Sequence, residues 1–242
     1  MQINKTLFAQ IINIKNPKEL PSDLAISQYC DIIGFRFLEY DSEFCANKIL
    51  KQVQNDIKKD LQFLFIGTGD DEIDKTILPE IANNMEKPCI IANINEKTYK
   101  TIIPSIIKNN HYAVLKTPID INLAKELNIL CIDMGLSPDK IIMNTDIGGL
   151  GYGFEYGYSI MEKIRVEGKN DKYLNFPLFS DASFEALKTK EAKSDEYSSS
   201  WGSLEQRVRM IELSACTGAI AAGANIITIH NPENIRVLKG LV

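Results

Sequence analysis

Eight short apolar segments recur along the 242-residue chain, and a stretch whose apolar residues have helical spacing follows each of them. The segments are rich in Ile, Phe and Val and end at a polar residue or a glycine, as strands buried on both faces do. Eight βα units in a chain of this length predict a closed parallel barrel of the (β/α)8 or TIM-barrel class, with residues 1–242 as a single domain. The predicted strands are Leu7–Ile14, Ile32–Phe37, Phe63–Ile66, Cys89–Ala92, Tyr112–Leu115, Ile141–Met143, Phe176–Phe179 and Ile226–Ile229.

The alternative to a closed barrel is an open, doubly wound α/β sheet. This alternative is disfavoured because no glycine-rich phosphate loop follows the first predicted strand. No composition break divides the chain into two units either. The polar, serine-rich segment near residues 188–203 is therefore expected to form an exposed loop between two helical pieces and not a domain boundary.

Two helices have clear start signals in the local sequence. Thr117–Pro118 predicts the start of a helix that runs through Met134 and stops at Gly135. Asn231–Pro232 repeats the same signal and predicts a final helix through Lys239. In both cases a side chain that can cap a helix precedes a proline whose missing N–H is harmless in the first turn.

The charge balance and the lengths of the apolar runs exclude several classes of protein. There are 27 Lys and Arg against 32 Asp and Glu, with a formal net charge of -5 and a pI near 5.2. An acidic chain of this kind is not expected to bind nucleic acid. The longest apolar runs fall far short of the ~18 residues that a membrane span needs. The first ten residues also lack the apolar region of a signal peptide, so we expect a cytoplasmic protein.

Metal ligands are sparse and scattered. The five cysteines contain no C-x-x-C pair, and the only histidines are His111 and His230. This spacing gives no zinc or iron–sulfur signature, so the chain is expected to hold neither. The cysteines are instead interpreted as small buried apolar residues.

Polar residues follow most of the predicted strands. In a parallel barrel the strand ends that carry chemistry all meet at the carboxyl-terminal face. Taken singly, each such residue could equally be a helix cap or a turn residue. The predicted ring consists of Arg36, Thr68, Asp70, Asn93, Lys116, Thr117, Asn144, Thr145, Asp146, Ser180, Asp181, His230 and Asn231.

The most unusual segment is the glycine cluster over residues 148–153, which follows the sixth strand. It matches neither G-x-G-x-x-G nor a P-loop, which argues against nucleotide binding. Because glycine has no side chain, a large flat ligand can approach the backbone closely there. Aromatic residues nearby could flank such a ligand or could pack between the barrel and a helix. These are Tyr152, Phe154, Tyr156 and Tyr158.

A long segment of the chain resembles a known protein family. The segment Lys116–Arg165, and within it Leu150–Gly153 with Glu155 and Tyr156, resembles the small subunit of the corrinoid iron–sulfur protein. That subunit is also called the delta subunit of acetyl-CoA decarbonylase/synthase. The C-terminal part agrees as well, through residues 176–192, Trp201–Gly202, Arg207, Glu212 and residues 221–239.

The resemblance implies a (β/α)8 barrel paired in a heterodimer with a large subunit that carries an iron–sulfur cluster and a cobamide (B12). The barrel mouth covers the cobamide, and the complex carries methyl groups in the reductive acetyl-CoA (Wood–Ljungdahl) route of anaerobic one-carbon metabolism and carbon fixation. Methyltetrahydrofolate methyltransferase and acetyl-CoA synthase are the further implied partners. This chain would be a non-catalytic subunit without an iron–sulfur cluster of its own.

The residues then expected to contact the cobamide lie after the sixth, seventh and eighth strands. They are Asn144, Thr145, Asp146, Gly149, Leu150, Gly151, Tyr152, Gly153, Ser180, Asp181 and His230. The family usually has a longer N-terminal region and an Asp-Pro-Thr-Thr-like turn where this chain has residues 144–147. These two differences indicate that the chain is a divergent, short paralogue within the family.

Two other functions stay open at this point. A methyltransferase that acts directly on methyltetrahydrofolate could bind the pterin through strand-end amides and carboxylates, with Asn93, Asn144, Asp146 and Asp181 as the candidates. A lyase or aldolase could form a Schiff base on Lys116, which ends the fifth predicted strand.

Overall fold

Parallel strands connected by helices make up the computed structural model, which describes residues 5–15, 26–39, 61–145, 147 and 153–242. The eight strands in this part of the chain are β1 (Leu7–Ile14), β2 (Ile32–Phe37), β3 (Gln62–Ile66), β4 (Ile90–Ile94), β5 (Tyr112–Lys116), β6 (Ile141–Asn144), β7 (Phe179–Ser180) and β8 (Ile226–Ile229). The helices are α1 (Asp71–Asn84), α2 (Tyr99–Lys108), α3 (Ile121–Asp133), α4 (Phe154–Glu167), α5 (Ala182–Ala186), α6 (Leu204–Ala221) and α7 (Pro232–Lys239).

The strands pair in parallel in the order β6-β5-β4-β3-β2-β1-β8-β7. A single parallel bridge between Met143 and Leu178 brings β6 and β7 together, and the Met143 N–H donates to the Pro177 carbonyl at 2.8 Å. The predicted (β/α)8 barrel is thus confirmed. Strand β7 is shorter than predicted because only Phe179 and Ser180 enter the ladder with β8.

Alternate residues of all eight strands fill the interior. Their side chains form one buried cluster, while a second cluster lies between the strands and the helices. This is the two-layer packing of a closed barrel, in which successive side chains point to opposite faces. The interior cluster consists of Leu7, Ala9, Ile11, Ile32, Leu64, Ile66, Ile90, Ala92, Tyr112, Val114, Ile142, Phe179 and Ile226.

Helix α3 begins later than its sequence predicts. The predicted start at Thr117–Pro118 is wrong, because Thr117 still continues the barrel ladder and its N–H donates to the Asn144 carbonyl at 2.9 Å. Asp120 is the N-cap instead, and its carboxylate accepts from the next free amides of the helix. The predicted stop is confirmed, since Gly135 has φ +100°, a conformation that favours glycine.

Helix α7 matches its prediction, with Asn231 as N-cap and Pro232 in the first turn. The segment before α6 consists of turns and one 3-10 turn at Ser199–Trp201. Arg207 of α6 holds this segment by donating to the carbonyls of Glu191, Ser194 and Gly202. Within the described ranges, no helix has both the length and the apolar character needed to cross a bilayer.

Candidate functional site at the barrel mouth

The alternation of side chains along each strand places a set of polar residues in the barrel mouth. Arg36, Lys116, Asn144 and Thr228 are spaced by even numbers of residues from the interior apolar residues of their own strands. Because side chains alternate along a strand, all four belong to the inward-facing set. They lie at or next to the carboxyl ends of β2, β5, β6 and β8, where barrel chemistry is located.

A buried ion pair joins two sides of this mouth. The Arg36 Nη2 donates to Asp181 Oδ2 at 2.5 Å, and Thr228 Oγ1 donates to Asp181 Oδ1 at 2.7 Å. The Arg36 guanidinium also lies over the Phe184 ring, 3.8 Å from its centroid. Arg36 is only 3% exposed, so its charge depends on these partners.

The pKa of Asp181 is lowered. Burial alone would raise it, but the positive charge of Arg36 and the hydrogen bonds from Thr228 and Arg36 outweigh burial. Asp181 is therefore a carboxylate whose two oxygens are both engaged. It joins β2, β7 and β8 at the mouth.

A second buried network is centred on Glu212 of α6, which is 1% exposed. Its carboxylate accepts from the backbone N–H of His230 at 2.7 Å and of Asn231 at 3.2 Å, from Asn234 Nδ2 at 2.8 Å, and from Ser183 Oγ. One side chain thus fixes the loop after β8 and the start of α7. It also ties both to α5.

Ser183 links this carboxylate to His230. The Ser183 hydroxyl donates to Glu212, so the contact of 2.7 Å between Ser183 Oγ and His230 Nδ1 requires Nδ1 to carry the imidazole proton. Nε2 is then a bare acceptor, and it is buried with no hydrogen-bond partner among the described residues. Burial lowers the pKa of His230, against the opposing effects of the Asp181 and Glu212 carboxylates.

The opposite side of the mouth is built around the loop after β3. The Asp74 carboxylate of α1 accepts from the N–H and the hydroxyl of Thr68, at 2.7 and 2.9 Å, and from the N–H of Gly69 at 3.1 Å. Burial raises the pKa of Asp74, although these hydrogen bonds oppose the shift. Asp70 is the N-cap of α1, so for this residue the helix-cap interpretation is correct.

Strand β4 carries an irregularity beside this loop. Its register with β5 shifts between Ile91 and Ile94, so β4 has one more residue there than its partner strand. Asn93 lies in this bulge with φ +73°, and its Nδ2 donates to the Gly67 carbonyl at 3.0 Å. Bulges at barrel rims re-aim side chains and are frequent beside functional sites.

A polar cavity of about 220 Å³ lies between the ends of β3, β4 and β5. Thr117 belongs to its wall, is 2% exposed, and has a buried Oγ1 without a hydrogen-bond partner in the described structure. Both charges are present in the wall, so the cavity is neither a plain anion site nor a plain cation site. Its lining includes Asp74, Asn93, Asn95, Glu96, Lys116 and Thr117.

The predicted cobamide contacts are distributed unevenly. Asn144, Thr145 and Ser180 are buried at strand ends, whereas Gly153 is the exposed N-cap of α4. Asp181 and His230 belong to the networks above. The remaining predicted contacts, Asp146, Gly149, Leu150, Gly151 and Tyr152, lie outside the described residues.

The aromatic residues of α4 do not act as one group. Tyr156 is 52% exposed near the start of the helix. Tyr158 packs against α6 instead, and its hydroxyl donates to the Ala215 carbonyl at 2.7 Å. Phe154 stacks on Tyr158 with ring centroids 6.2 Å apart. The interpretation that some of these rings pack between the barrel and a helix is therefore correct for Tyr158.

Three important residues were not recognised as site residues from the sequence. Ser183 and Thr228 did not stand out, and Glu212 entered only through the family resemblance. Thr228 is the penultimate residue of β8 and lies two residues after the inward-facing Ile226, and this spacing could have identified it. Nothing in the local sequence of α6 distinguishes Glu212 from a solvent-exposed helix residue.

Among the described residues, no group of three or more His, Cys, Asp or Glu side chains could hold a metal ion. Cys30, Cys89, Cys131 and Cys216 are buried. Burial raises the pKa of Cys131 to about 12, so this thiol stays protonated and acts as a small apolar side chain.

The comparison with known families is decisive. The family model for the CO dehydrogenase/acetyl-CoA synthase delta subunit matches residues 2–234. The chain belongs to this delta subunit family. An acetyl-CoA decarbonylase/synthase complex subunit delta from Methanocaldococcus jannaschii is 29% identical over 183 residues, covering 74% of this chain and 44% of that protein. Its counterpart from Methanosarcina mazei is 30% identical over 184 residues, covering 72% and 41%.

This delta-family chain thus spans less than half the length of these two relatives. Solved structures support the fold alone. Dihydropteroate synthase from Thermus thermophilus superimposes with a TM-score of 0.67 at 10% identity, covering 100% of this chain and 94% of that one. The Yersinia pestis enzyme with a pterine–sulfa conjugate gives 0.65 at 12% identity, covering 100% and 95%.

Proposed function

We propose that this chain is a barrel subunit of a methyl-transfer complex of the acetyl-CoA pathway, in which its mouth covers a cobamide held by a partner subunit. The observation that carries the proposal is the delta-subunit family match over residues 2–234. The related proteins are named as subunits of a multi-subunit complex. The expected partners are a large corrinoid iron–sulfur subunit, a methyltetrahydrofolate methyltransferase and acetyl-CoA synthase.

The role follows from the chemistry that such a cofactor supplies, which is methyl exchange at a reduced cobalt that is easily oxidised. A subunit over its reactive face must exclude water and oxidant while leaving room for the methyl group. That task needs a rigid rim more than a nucleophile. The Glu212 and Arg36–Asp181 networks are of this kind, because they fix several strand-end loops at once.

The described rim fits a contact with a cofactor held elsewhere. Gly153 and Tyr156 are exposed at the start of α4, where helix amides point outward and can meet the amide-rich edge of a corrin ring. The His230 Nε2 is buried, so this nitrogen is not exposed to a partner subunit or its cofactor in this conformation. The chain therefore contributes shape and hydrogen-bond donors, with the cofactor fixed by the partner.

A pair of tyrosines at opposite ends of the barrel tests the proposal. Tyr156 is exposed at the mouth, and Tyr29 is 38% exposed before β2, at the opposite end. Calorimetry should measure binding of the chain to a purified large corrinoid subunit loaded with cobamide. Tyr156→Ala, and Gly151→Val in the glycine cluster, should weaken binding about tenfold or more, a loss of ~1.4 kcal/mol. Tyr29→Ala should bind like the parent.

Two results would contradict the proposal. If Tyr29→Ala weakens binding as much as Tyr156→Ala, the partner does not meet the mouth. If the corrinoid-loaded and corrinoid-free partner bind equally well, the mouth does not face the cofactor. Circular dichroism should show that all three variants keep the helical content of the parent, so that a loss of affinity reports the interface.

The two other functions remain predictions. The methyltransferase alternative has Asp181 as one of its four candidate pterin-binding residues, and both oxygens of Asp181 already accept hydrogen bonds from Arg36 and Thr228. Labelled methyl transfer from methyltetrahydrofolate to free cobalamin by the isolated chain would establish it. The lyase alternative places a Schiff base on Lys116, and borohydride trapping with a carbonyl substrate, followed by mass spectrometry, tests that.

A further inference from the structure

A groove on the outside of the barrel lies between the first half of α6 and the segment that precedes this helix. Its volume of about 580 Å³ is within the ~300–1,000 Å³ of common binding pockets. The residues on its helical side are Gln206, Arg209, Met210 and Leu213. They are spaced by three, four and seven residues and therefore form one continuous face of α6.

Two large apolar side chains are exposed at this groove. Trp201 is 61% exposed and Met210 is 60% exposed, and both belong to the groove wall. The Trp201 ring packs beside Tyr197, with ring centroids 5.2 Å apart, so the indole is positioned without being covered. Tryptophan and methionine are enriched in protein–protein interfaces, and exposed apolar residues that adjoin one another mark interaction sites.

The charge of the groove wall is opposite in sign to that of the chain. The wall contains Arg207 and Arg209 against one carboxylate, Glu191, whereas the chain has a formal net charge of -5. Arg207 is buried and its guanidinium donates to three backbone carbonyls. Arg209 Nε donates to the neutral Asn234 amide at 3.2 Å, and its two terminal nitrogens have no partner among the described residues. The groove therefore favours a partner with negative charge beside apolar side chains.

The elements that form the groove decide the conformation of such a partner. They are a helix and a segment of turns, so no strand edge borders the described groove. An extended peptide cannot add to a sheet there through backbone hydrogen bonds. A helix satisfies its own backbone groups and can present apolar side chains at i, i+3, i+4 and i+7 to the groove.

We infer that this groove binds an acidic amphipathic helix of a partner protein. Its apolar side chains pack against Trp201 and Met210, and one of its carboxylates accepts from the terminal nitrogens of Arg209. The inference does not rest on the corrinoid role, because the groove lies on α6 outside the barrel, whereas the cofactor contact is proposed for the mouth. It can also be tested without a corrinoid subunit.

Trp201 is the only tryptophan of the chain, so its fluorescence reports on this groove. The probes are two designed helical peptides of about 15 residues without tryptophan. Each has Leu at i, i+3, i+4 and i+7, flanked by Glu in one peptide and by Lys in the other. We expect the Glu peptide to shift the emission of the full chain to shorter wavelength in a saturable way. The Lys peptide should bind at least about tenfold more weakly.

Two substitutions that keep the Trp201 signal locate the contact. Met210→Ser removes the exposed apolar side chain, and Arg209→Gln removes the charge. Each should weaken binding of the Glu peptide about tenfold. Val166→Ser and Lys163→Gln make the same kinds of change at exposed positions of α4 and should bind like the parent. Circular dichroism should show the helical content of the parent in all four variants.

The inference is wrong if the Glu peptide leaves the Trp201 emission unchanged at millimolar concentration, or if the Lys peptide binds as tightly. It is also wrong if Met210→Ser and Arg209→Gln both bind like the parent. Sedimentation of the chain alone tests the remaining occupant. If the chain self-associates and Met210→Ser makes it monomeric, the groove binds a second copy of this chain and not a helix of another protein.

Discussion

The two sides of the barrel mouth use their buried polar groups in different ways. On the side of β7 and β8, Glu212 accepts hydrogen bonds from four groups, and Asp181 neutralises Arg36. On the side of β3 to β5, a cavity remains, and the Thr117 hydroxyl in its wall has no partner among the described residues. The first side ties several loops together through two carboxylates, although Arg36 Nε and His230 Nε2 are buried there without a partner among the described residues. The second side has an open cavity beside one unpaired hydroxyl.

This difference shows which buried polar groups at the mouth stabilise the fold and which do not. A buried carboxylate that accepts several hydrogen bonds fixes loops, and removing it leaves charges or donors without partners. A buried hydroxyl without a partner, such as that of Thr117, contributes no hydrogen bond to stability. Removal of the Glu212 or Asp181 carboxylate should therefore cost much more stability than removal of the Thr117 hydroxyl.

The largest effect is expected at Glu212, the centre of the second buried network. Glu212→Ala leaves the amides of His230 and Asn231, the Asn234 amide group and the Ser183 hydroxyl without their acceptor. Because an unsatisfied buried donor costs about 1–3 kcal/mol, we expect a loss of about 4–5 kcal/mol in the free energy of unfolding. Urea denaturation followed by circular dichroism measures it.

The control for this change is Glu126→Ala on the exposed face of α3, which should alter stability by no more than about 0.5 kcal/mol. A comparable loss in both variants would mean that the Glu212 network contributes nothing special and that the contrast between the two sides is false.

A smaller loss is expected for Asp181→Asn. The amide keeps the shape and one acceptor for Arg36 or Thr228 but removes the negative charge from a buried guanidinium. Breaking a buried ion pair costs about 3–5 kcal/mol when one partner is deleted, so this conservative change should cost about 2–3 kcal/mol. Thermal and urea unfolding should agree, and Asp195→Asn in the exposed segment before α6 should be neutral.

How much of this could be predicted from the sequence depends on how local each signal is. The number of strands and the α7 start at Asn231–Pro232 follow from short patterns and are confirmed, although β7 begins at Phe179 and not at Phe176. The Thr117–Pro118 helix start is wrong because a long-range hydrogen bond to Asn144 keeps Thr117 in the barrel ladder. Pairing between strands decided that position, and no local pattern reports it.

The candidate site shows the same limit. Arg36, Asp181 and His230 were predicted as strand-end residues, and the structure joins them through partners that the sequence does not identify. Glu212 is remote from every strand end, so only the three-dimensional packing of α6 reveals its role. The bulge at Asn93 depends on the register between β4 and β5, which the sequence of either strand alone cannot give.

The two histidines lie at opposite ends of the barrel, and both have a lowered pKa. His230 is at the mouth, and His111 lies just before β5 with Cys89 N–H donating to its Nδ1 and Ala82 accepting from its Nε2. Burial lowers the pKa of both. Their contribution to stability is therefore present above the unfolded pKa of about 6.5 and is lost as pH falls below it.

We expect the free energy of unfolding to fall between pH 7 and pH 5 by at most about 1.4 kcal/mol per pH unit for each histidine. His230→Gln should remove the part of this pH dependence that comes from His230. Proton–nitrogen correlation spectra should show the proton on Nε2 in His111 and on Nδ1 in His230. The same tautomer for both rings would contradict the hydrogen-bond assignment at Ser183.

The smallest effect is expected where the same substitution is made on the two sides of the mouth. Thr228→Val removes a hydroxyl that donates to the Asp181 carboxylate at 2.7 Å, and a hydrogen bond to a charged group is worth about 1.5–3 kcal/mol. Thr117→Val removes a buried hydroxyl that has no partner in the described structure, so no hydrogen bond is lost and an uncompensated burial of a polar group is relieved. We therefore expect Thr228→Val to lower the free energy of unfolding by about 2 kcal/mol. Thr117→Val should change it by less than about 0.5 kcal/mol or raise it. Urea denaturation of the two variants side by side decides the matter, because equal losses would mean that the Thr117 hydroxyl contributes as much to stability as the hydrogen-bonded Thr228 hydroxyl does.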